Sequence, residues 1–189
     1  MRIVIAVLCA VFVAGNAFAS TLDGYDRSAL ADENYRLAHG DEVMPGAVND
    51  PELAAVMKKY VYADIARQAK LTLTERKLVE IVVLTTNQNH KFLARVIDGS
   101  LNLGVKALEI REALYHIAPY IGFPKVFDAL EIADEIFIKH GITLPLEAQG
   151  TTTDADRFEK GLAFQVGAYG ERINQMRDAA PDYHKHSHS

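Results

Sequence analysis

The stretch TLTERKLVEIVVLTTNQ, residues 72–88, decides the fold. Thr72-x-x-Glu75 has the spacing of a capping box, in which the threonine hydroxyl and the glutamate carboxylate each take a backbone N–H at the head of a helix. The helix that follows, Arg76 to Thr85, is apolar nearly all round: Leu78, Val79, Ile81, Val82, Val83 and Leu84. A helix without a polar face belongs at the centre of a bundle, so the rest of the chain is expected to pack on it. Glu75 is read as a cap. Glu80, a carboxylate among apolar residues on all sides, must find a partner or shift its pKa. An ion pair to an arginine such as Arg95, or partial exposure at a subunit seam, is the structural reading of Glu80. A proton-transfer role is the functional one.

Outward from this helix the pattern stays helical. Residues 88–103 carry Phe92, Leu93, Val96, Ile97, Ser100 and Leu101 on one face and stop at Gly104, a suitable C-cap. Residues 107–118 form the next helix, disturbed by Pro119 and closed by Gly122. Pro124 starts another, which runs to Lys139 and ends at Gly141. On the N-terminal side, Asp50-Pro51 opens an amphipathic helix reaching about Ala69. Residues 20–49 are mixed and Gly-punctuated; they predict a loosely docked arm with one short helix from Ser28 to Ala38. Residues 143–153 read as a linker, after which Asp154 opens a last helix ending near Gly170. No period-two alternation appears. The expectation is an all-α bundle of about six to seven helices, with Leu78, Val82, Val96, Leu114, Phe127 and Leu130 in the core.

Residues 1–19 read as a secretory signal peptide. Met1 and Arg2 make a positive start, Ile3 to Val13 an apolar run, and Ala17-Phe18-Ala19 a small-residue cleavage site before Ser20. The run is too short for a membrane span. A periplasmic or secreted protein with no membrane attachment after cleavage is expected. Cys9, the chain's one cysteine, lies inside that segment, so the processed chain has no thiol for a disulfide, a nucleophile or a metal ligand. The net charge of −5 and the lack of a basic stripe argue against a nucleic-acid partner. The tail holds His184, His186 and His188 without any element to fix their geometry, and predicts no metal site.

KLVEIVVLTTNQ, SLNLGV, EIREALYHIAPYIGFP and FDALEIADEIF together resemble the carboxymuconolactone decarboxylase family, within the alkyl-hydroperoxidase-D-like superfamily of helical proteins. The resemblance covers about residues 50–150. RFEKGLAFQVGAYGERI, residues 157–173, resembles the opening of a second family repeat, so residues 151–189 read as a C-terminal helix and polar tail. The resemblance implies self-association as a trimer or hexamer, with pockets built by adjacent copies. It also implies a set of site positions. The family's glutamate falls on Lys77, its histidine on Val96, and a cysteine of two-repeat members on Ile117. The C-x-x-C pair of the peroxidase branch falls around Asn89 and Phe92. None of these residues keeps the family's functional group. Substitutes for acid–base chemistry are Glu80, His116, His90, Tyr115 and Tyr120, and the candidate pocket is Glu80, Arg95, His116 and Tyr120.

Two functions follow as expectations. One is an exported family-like protein, degenerate at the catalytic positions, kept as a binding or assembly module and able to take a small organic acid. The alternative is a cofactor-free decarboxylase or lactonase with relocated acid–base residues. Neither calls for a cofactor. Thiol peroxidase chemistry is disfavoured, because it needs an attacking and a resolving thiol. Glu80 and His116 sharing one pocket with Arg95 or Lys77 would favour the enzyme; a site filled by Val96, Phe92 and Ile117 would favour the module.

Overall fold

The computed structural model describes residues 24–179. The segment read as a signal peptide, with Cys9, and the tail histidines lie outside them. The described residues form eight helices and no strand, and no helix among them is long and apolar enough to cross a membrane. The chain divides into two compact units, the first ending at Leu146 and the second beginning at Glu147.

In the first unit α1 is Arg27–His39 and α2 is Pro51–Lys59. A π-helical stretch, Tyr60–Ile65, and a last turn, Ala66–Gln68, continue α2 without a break. Then come α3 (Leu73–Thr86), α4 (His90–Asn102), α5 (Ala107–Ile121) and α6 (Phe123–Lys139). The capping box at the head of α3 is formed: the Glu75 N–H donates to Thr72 Oγ1 at 3.2 Å and the Thr72 N–H to Glu75 Oε2 at 2.8 Å. Pro119 sits inside the last turn of α5, which closes at Gly122 with φ +91°.

α3 packs against α4, α5 and α6, and these four helices hold the core. Ile81, Leu93, Ile97, Ile110, Leu114 and Phe137 are fully buried at its centre. Val96 is buried too, and Leu78, Val82 and Leu130 pack on the core from its edge. Two expectations change. Phe127 is 61% exposed, because α6 turns Val126, Ala129, Ala133, Ile136 and Phe137 inward and leaves Phe127 on the flank beside Phe123. α3 is also not enclosed on every side. Ile81 and Thr85 are buried, whereas Val79 and Val83 are 53% and 49% exposed, since within one chain its neighbours cover only part of its circumference.

The N-terminal segment is not a loosely docked arm. α1 packs on the π stretch and on α4, burying Ala31, Tyr35 and Ala38. Polar pairs fix it. Arg27 grips Asp64 with two guanidinium nitrogens, Nε donating at 2.8 Å, and the Tyr25 hydroxyl donates to the same carboxylate at 3.0 Å. Asn34 Nδ2 donates to the Tyr62 carbonyl at 2.7 Å, and Asn102 Nδ2 to the Ala38 carbonyl at 2.8 Å. A bidentate arginine–carboxylate pair sets register as well as energy. Composition shows none of this, because its partners lie far along the chain.

The second unit holds α7 (Arg157–Tyr169) and α8 (Arg172–Ala179). α7 begins at Asp156 rather than Asp154, with Asp156 accepting the Thr153 N–H at 2.6 Å. α8 is an addition to the expected helices. Neither helix buries a residue completely.

Candidate functional site

Arg76, Lys77, Val79 and Glu80 lie in the first two turns of α3, just past its capping box. They line a cavity of about 790 Å³ whose far wall is α1 and the π stretch. Leu30, Leu37, Val61, Ile65 and Leu73 make it largely apolar. Lys77 is only 9% exposed, and its Nζ donates to Glu80 Oε2 at 2.8 Å, one turn along the same helix. Arg76 Nε is buried without a hydrogen-bond partner among the described residues. An unsatisfied buried donor costs about 1–3 kcal/mol.

Tyr62 reaches this cavity from the π stretch. A π turn holds one more residue than an α turn, which re-aims the side chains on it, and such turns are frequent at functional sites. The Tyr62 hydroxyl lies 2.7 Å from Nε2 of His39, the last residue of α1. The His39 ring is buried, with Tyr35 at 4.8 Å between ring centroids. On its other side is Gly99 of α4, where an added Cβ would stand 2.8 Å from His39 Cε1. Arg95 closes this corner, donating to Tyr35 Oη at 2.9 Å and to Glu42 Oε2 at 2.8 Å. Burial, then the charges of Arg95 and Lys77, hold the imidazole below its ordinary range. Burial, then the Glu80 carboxylate, pushes the Tyr62 hydroxyl well above its own. Both groups are therefore neutral near pH 7.

The residues singled out by sequence are dispersed. Glu80 lines the cavity, but its partner is Lys77 and not Arg95, which turns to Glu42 and Tyr35. His116 and Tyr120 lie on an exposed part of α5, their rings 6.1 Å apart, and neither lines the cavity. Tyr115 is half-exposed, with the Arg111 guanidinium 5.4 Å from its ring centre. His90 is exposed at the start of α4; Asn89 caps that helix, accepting the Phe92 N–H. Val96 and Ile117 are apolar core residues. Neither arrangement that was to separate enzyme from module is the one found.

Sequence reasoning passed over Tyr62 and His39, which are 23 positions apart. One signal was available. Gly99 stands inside α4, where glycine costs about 1 kcal/mol relative to alanine, and the imidazole occupies the space it leaves.

Residues 51–135 match the model of the Carboxymuconolactone decarboxylase family. His39 and all of α1 precede the matched segment. No curated protein matches the chain.

Proposed function

We propose, from a chain that belongs to the carboxymuconolactone decarboxylase family over residues 51–135, that the α1–α3 cavity binds a small organic acid with an apolar body. On this reading the protein is a binding module of the family. One observation carries it: Lys77, a nearly buried cation, lines an apolar cavity beside Arg76, a second cation. Lys77 occupies the position where the family resemblance places a glutamate, so the charge there is reversed and suits an anion. Glu80 pairs with Lys77 across one turn of α3. An arriving carboxylate shares Lys77 with Glu80 and is attracted by the Arg76 charge, while the ligand's carbon chain lies on Leu30, Leu37 and Ile65. The absence of any cysteine after Cys9 argues against thiol peroxidase chemistry.

The test is calorimetry and thermal shift of the protein with straight-chain monocarboxylates from butanoate to decanoate. Affinity should rise with chain length, and Lys77→Met should weaken it by tenfold or more, on the order of the 1.5–3 kcal/mol of a hydrogen bond to a charged group. Binding by none of the acids at millimolar concentration would end the reading.

The proposal extends to export and assembly. Ala17-Phe18-Ala19 supports cleavage and a periplasmic or secreted protein, for which N-terminal sequencing should begin at Ser20. Self-association is supported by Val83 and Phe92, apolar side chains left exposed on α3 and α4. Sizing with light scattering should give a trimer or larger; a monomer at micromolar concentration would refute it.

A further inference from the structure

We propose that His39 and Tyr62 form an imidazole–hydroxyl couple that orients the bound acid. The His39 Nε2–H donates to the Tyr62 oxygen, and the Tyr62 O–H is thereby left to donate into the cavity, to a second, uncharged oxygen of the ligand. This inference rests on the reading of the cavity as an organic-acid site and adds a specificity to it: acids bearing a carbonyl oxygen are preferred to plain alkanoates.

The direction of the hydrogen bond follows from His39. Nε2 and the Tyr62 oxygen are 2.7 Å apart, and either could donate. Nδ1 is buried against Gly99 with no hydrogen-bond partner among the described residues. If the tyrosine donated to Nε2, a neutral ring would carry its proton on Nδ1, as a buried N–H with nothing to accept it. Orphaned buried N–H groups are the rarer and costlier kind. With the proton on Nε2, Nδ1 keeps only an unused lone pair. The phenol oxygen is then an acceptor from His39, and its own proton must point elsewhere. Tyr62 lines the cavity, and in the proposed couple its proton points there.

The surroundings hold the couple in place. Asn34 Nδ2 fixes the Tyr62 backbone carbonyl at 2.7 Å. Tyr35 flanks both rings, at 4.8 Å from His39 and 5.1 Å from Tyr62. Gly99 admits the imidazole where any Cβ would collide with it. The depressed imidazole and raised phenol keep both protons in place near neutrality. A neutral hydroxyl donor in an apolar wall discriminates for ligands able to accept its proton, because an alkanoate would leave it unpaired.

The experiment compares octanoate, 2-oxooctanoate and 4-oxooctanoate by calorimetry on the full chain and on Tyr62→Phe, which keeps the ring. In the unaltered protein at least one oxo acid should bind about fivefold more tightly than octanoate, the worth of one net hydrogen bond. Tyr62→Phe should abolish that advantage, so that within the variant the oxo acids bind no more tightly than octanoate. The ¹⁵N spectrum of the unaltered protein should show the His39 proton on Nε2, a readout that does not depend on the variant folding. If octanoate binds but no oxo acid binds better, or if the advantage survives in Tyr62→Phe, this inference falls and the acid-binding reading stands. A proton on His39 Nδ1 also overturns it. If none of the three acids binds, both fall together.

Discussion

The two sides of α3 are built on different physics. On the side facing α4, α5 and α6, Ile81 meets Leu93, Ile97, Ile110 and Leu114, all fully buried. Its polar residues are self-sufficient: the buried Thr85 hydroxyl donates to the Ile81 carbonyl one turn back at 2.9 Å, and the Ser100 hydroxyl to that of Val96. On the side facing α1 and the π stretch, Lys77, Glu80, Arg76 and Tyr62 line a cavity, with His39 hydrogen-bonded to Tyr62. The first side is close-packed and specified by volume. The second is held by paired charges and hydrogen bonds, with room left over. A largely apolar cavity with a few convergent polar groups is the usual form of a ligand site, so the open side is where binding is to be sought and the filled side where stability is to be sought.

Substitutions should separate these roles. Leu114→Ala removes a side chain with no exposed surface from the filled side. It should cost about 2–5 kcal/mol in urea unfolding, the largest effect here, and leave the relative affinities for the carboxylate series unchanged in protein that remains folded. A loss under about 1 kcal/mol would mean that the core is looser than its burial implies.

Gly99→Ala strikes the boundary between the sides. Helix propensity alone favours alanine by about 1 kcal/mol, but the new Cβ would meet His39 Cε1 at 2.8 Å and the Ala38 carbonyl oxygen at 3.3 Å. Neither is the end of a flexible chain. Overpacking of this kind costs about 1–3 kcal/mol, so thermal unfolding should show net destabilisation. A stabilised variant would remove the reason given for glycine at this place.

Thr72→Ala tests the device that sets the start of α3. The capping box is exposed, and removing its hydroxyl should lower stability by about 1 kcal/mol. Carboxylate binding should change little, because Arg76 and Lys77 are held within the helix beyond it. A large loss of binding with little loss of stability would show that the cap positions the site rather than the helix.

What was legible in the sequence follows the same division. The capping box, the C-cap glycines and the apolar stripes of α4 to α6 are local patterns, and the helices lie where those patterns put them. Phe127 was misplaced because an apolar residue beside a buried stripe looks, in sequence, like part of it. The docking of α1 was missed because Arg27, Asn34 and His39 find partners at Asp64 and Tyr62, and nothing local marks such pairs. Of the residues proposed for a site, Glu80 and Lys77 lie in the cavity; one turn of helix joins them. His116 and Tyr120 were chosen by residue type, and α5 turns them to an exposed face. Tyr62 depends on a π turn, which no spacing in YVYADI announces.

The smallest expected effect concerns pH, and it separates the two sides by their titrating groups. His39 is held neutral by burial and by the cations Arg95 and Lys77, against the weaker pull of Glu42 and Asp98; Tyr35 and Tyr62 flank it as neutral phenols. Its folded pKa lies below the ordinary 6.5, so in acid the unfolded chain binds a proton that the folded chain refuses. Stability therefore rises with pH across this window. The contribution is complete above about pH 6.5 and shrinks as pH falls through that value toward the depressed folded pKa. Asp98 is the contrast. Burial alone would raise it, but hydrogen bonds from His140 Nε2 at 3.0 Å and Lys139 Nζ at 3.3 Å outweigh burial and hold it below its ordinary 3.8. Its contribution is present above 3.8 and is lost only as pH falls through the lower folded value. The melting temperature should thus decline in two separate steps on acidification. In His39→Gln the upper step should flatten while the lower one remains. An upper step of undiminished size in that variant would show that another group titrates there, and that His39 is not the group burial keeps neutral.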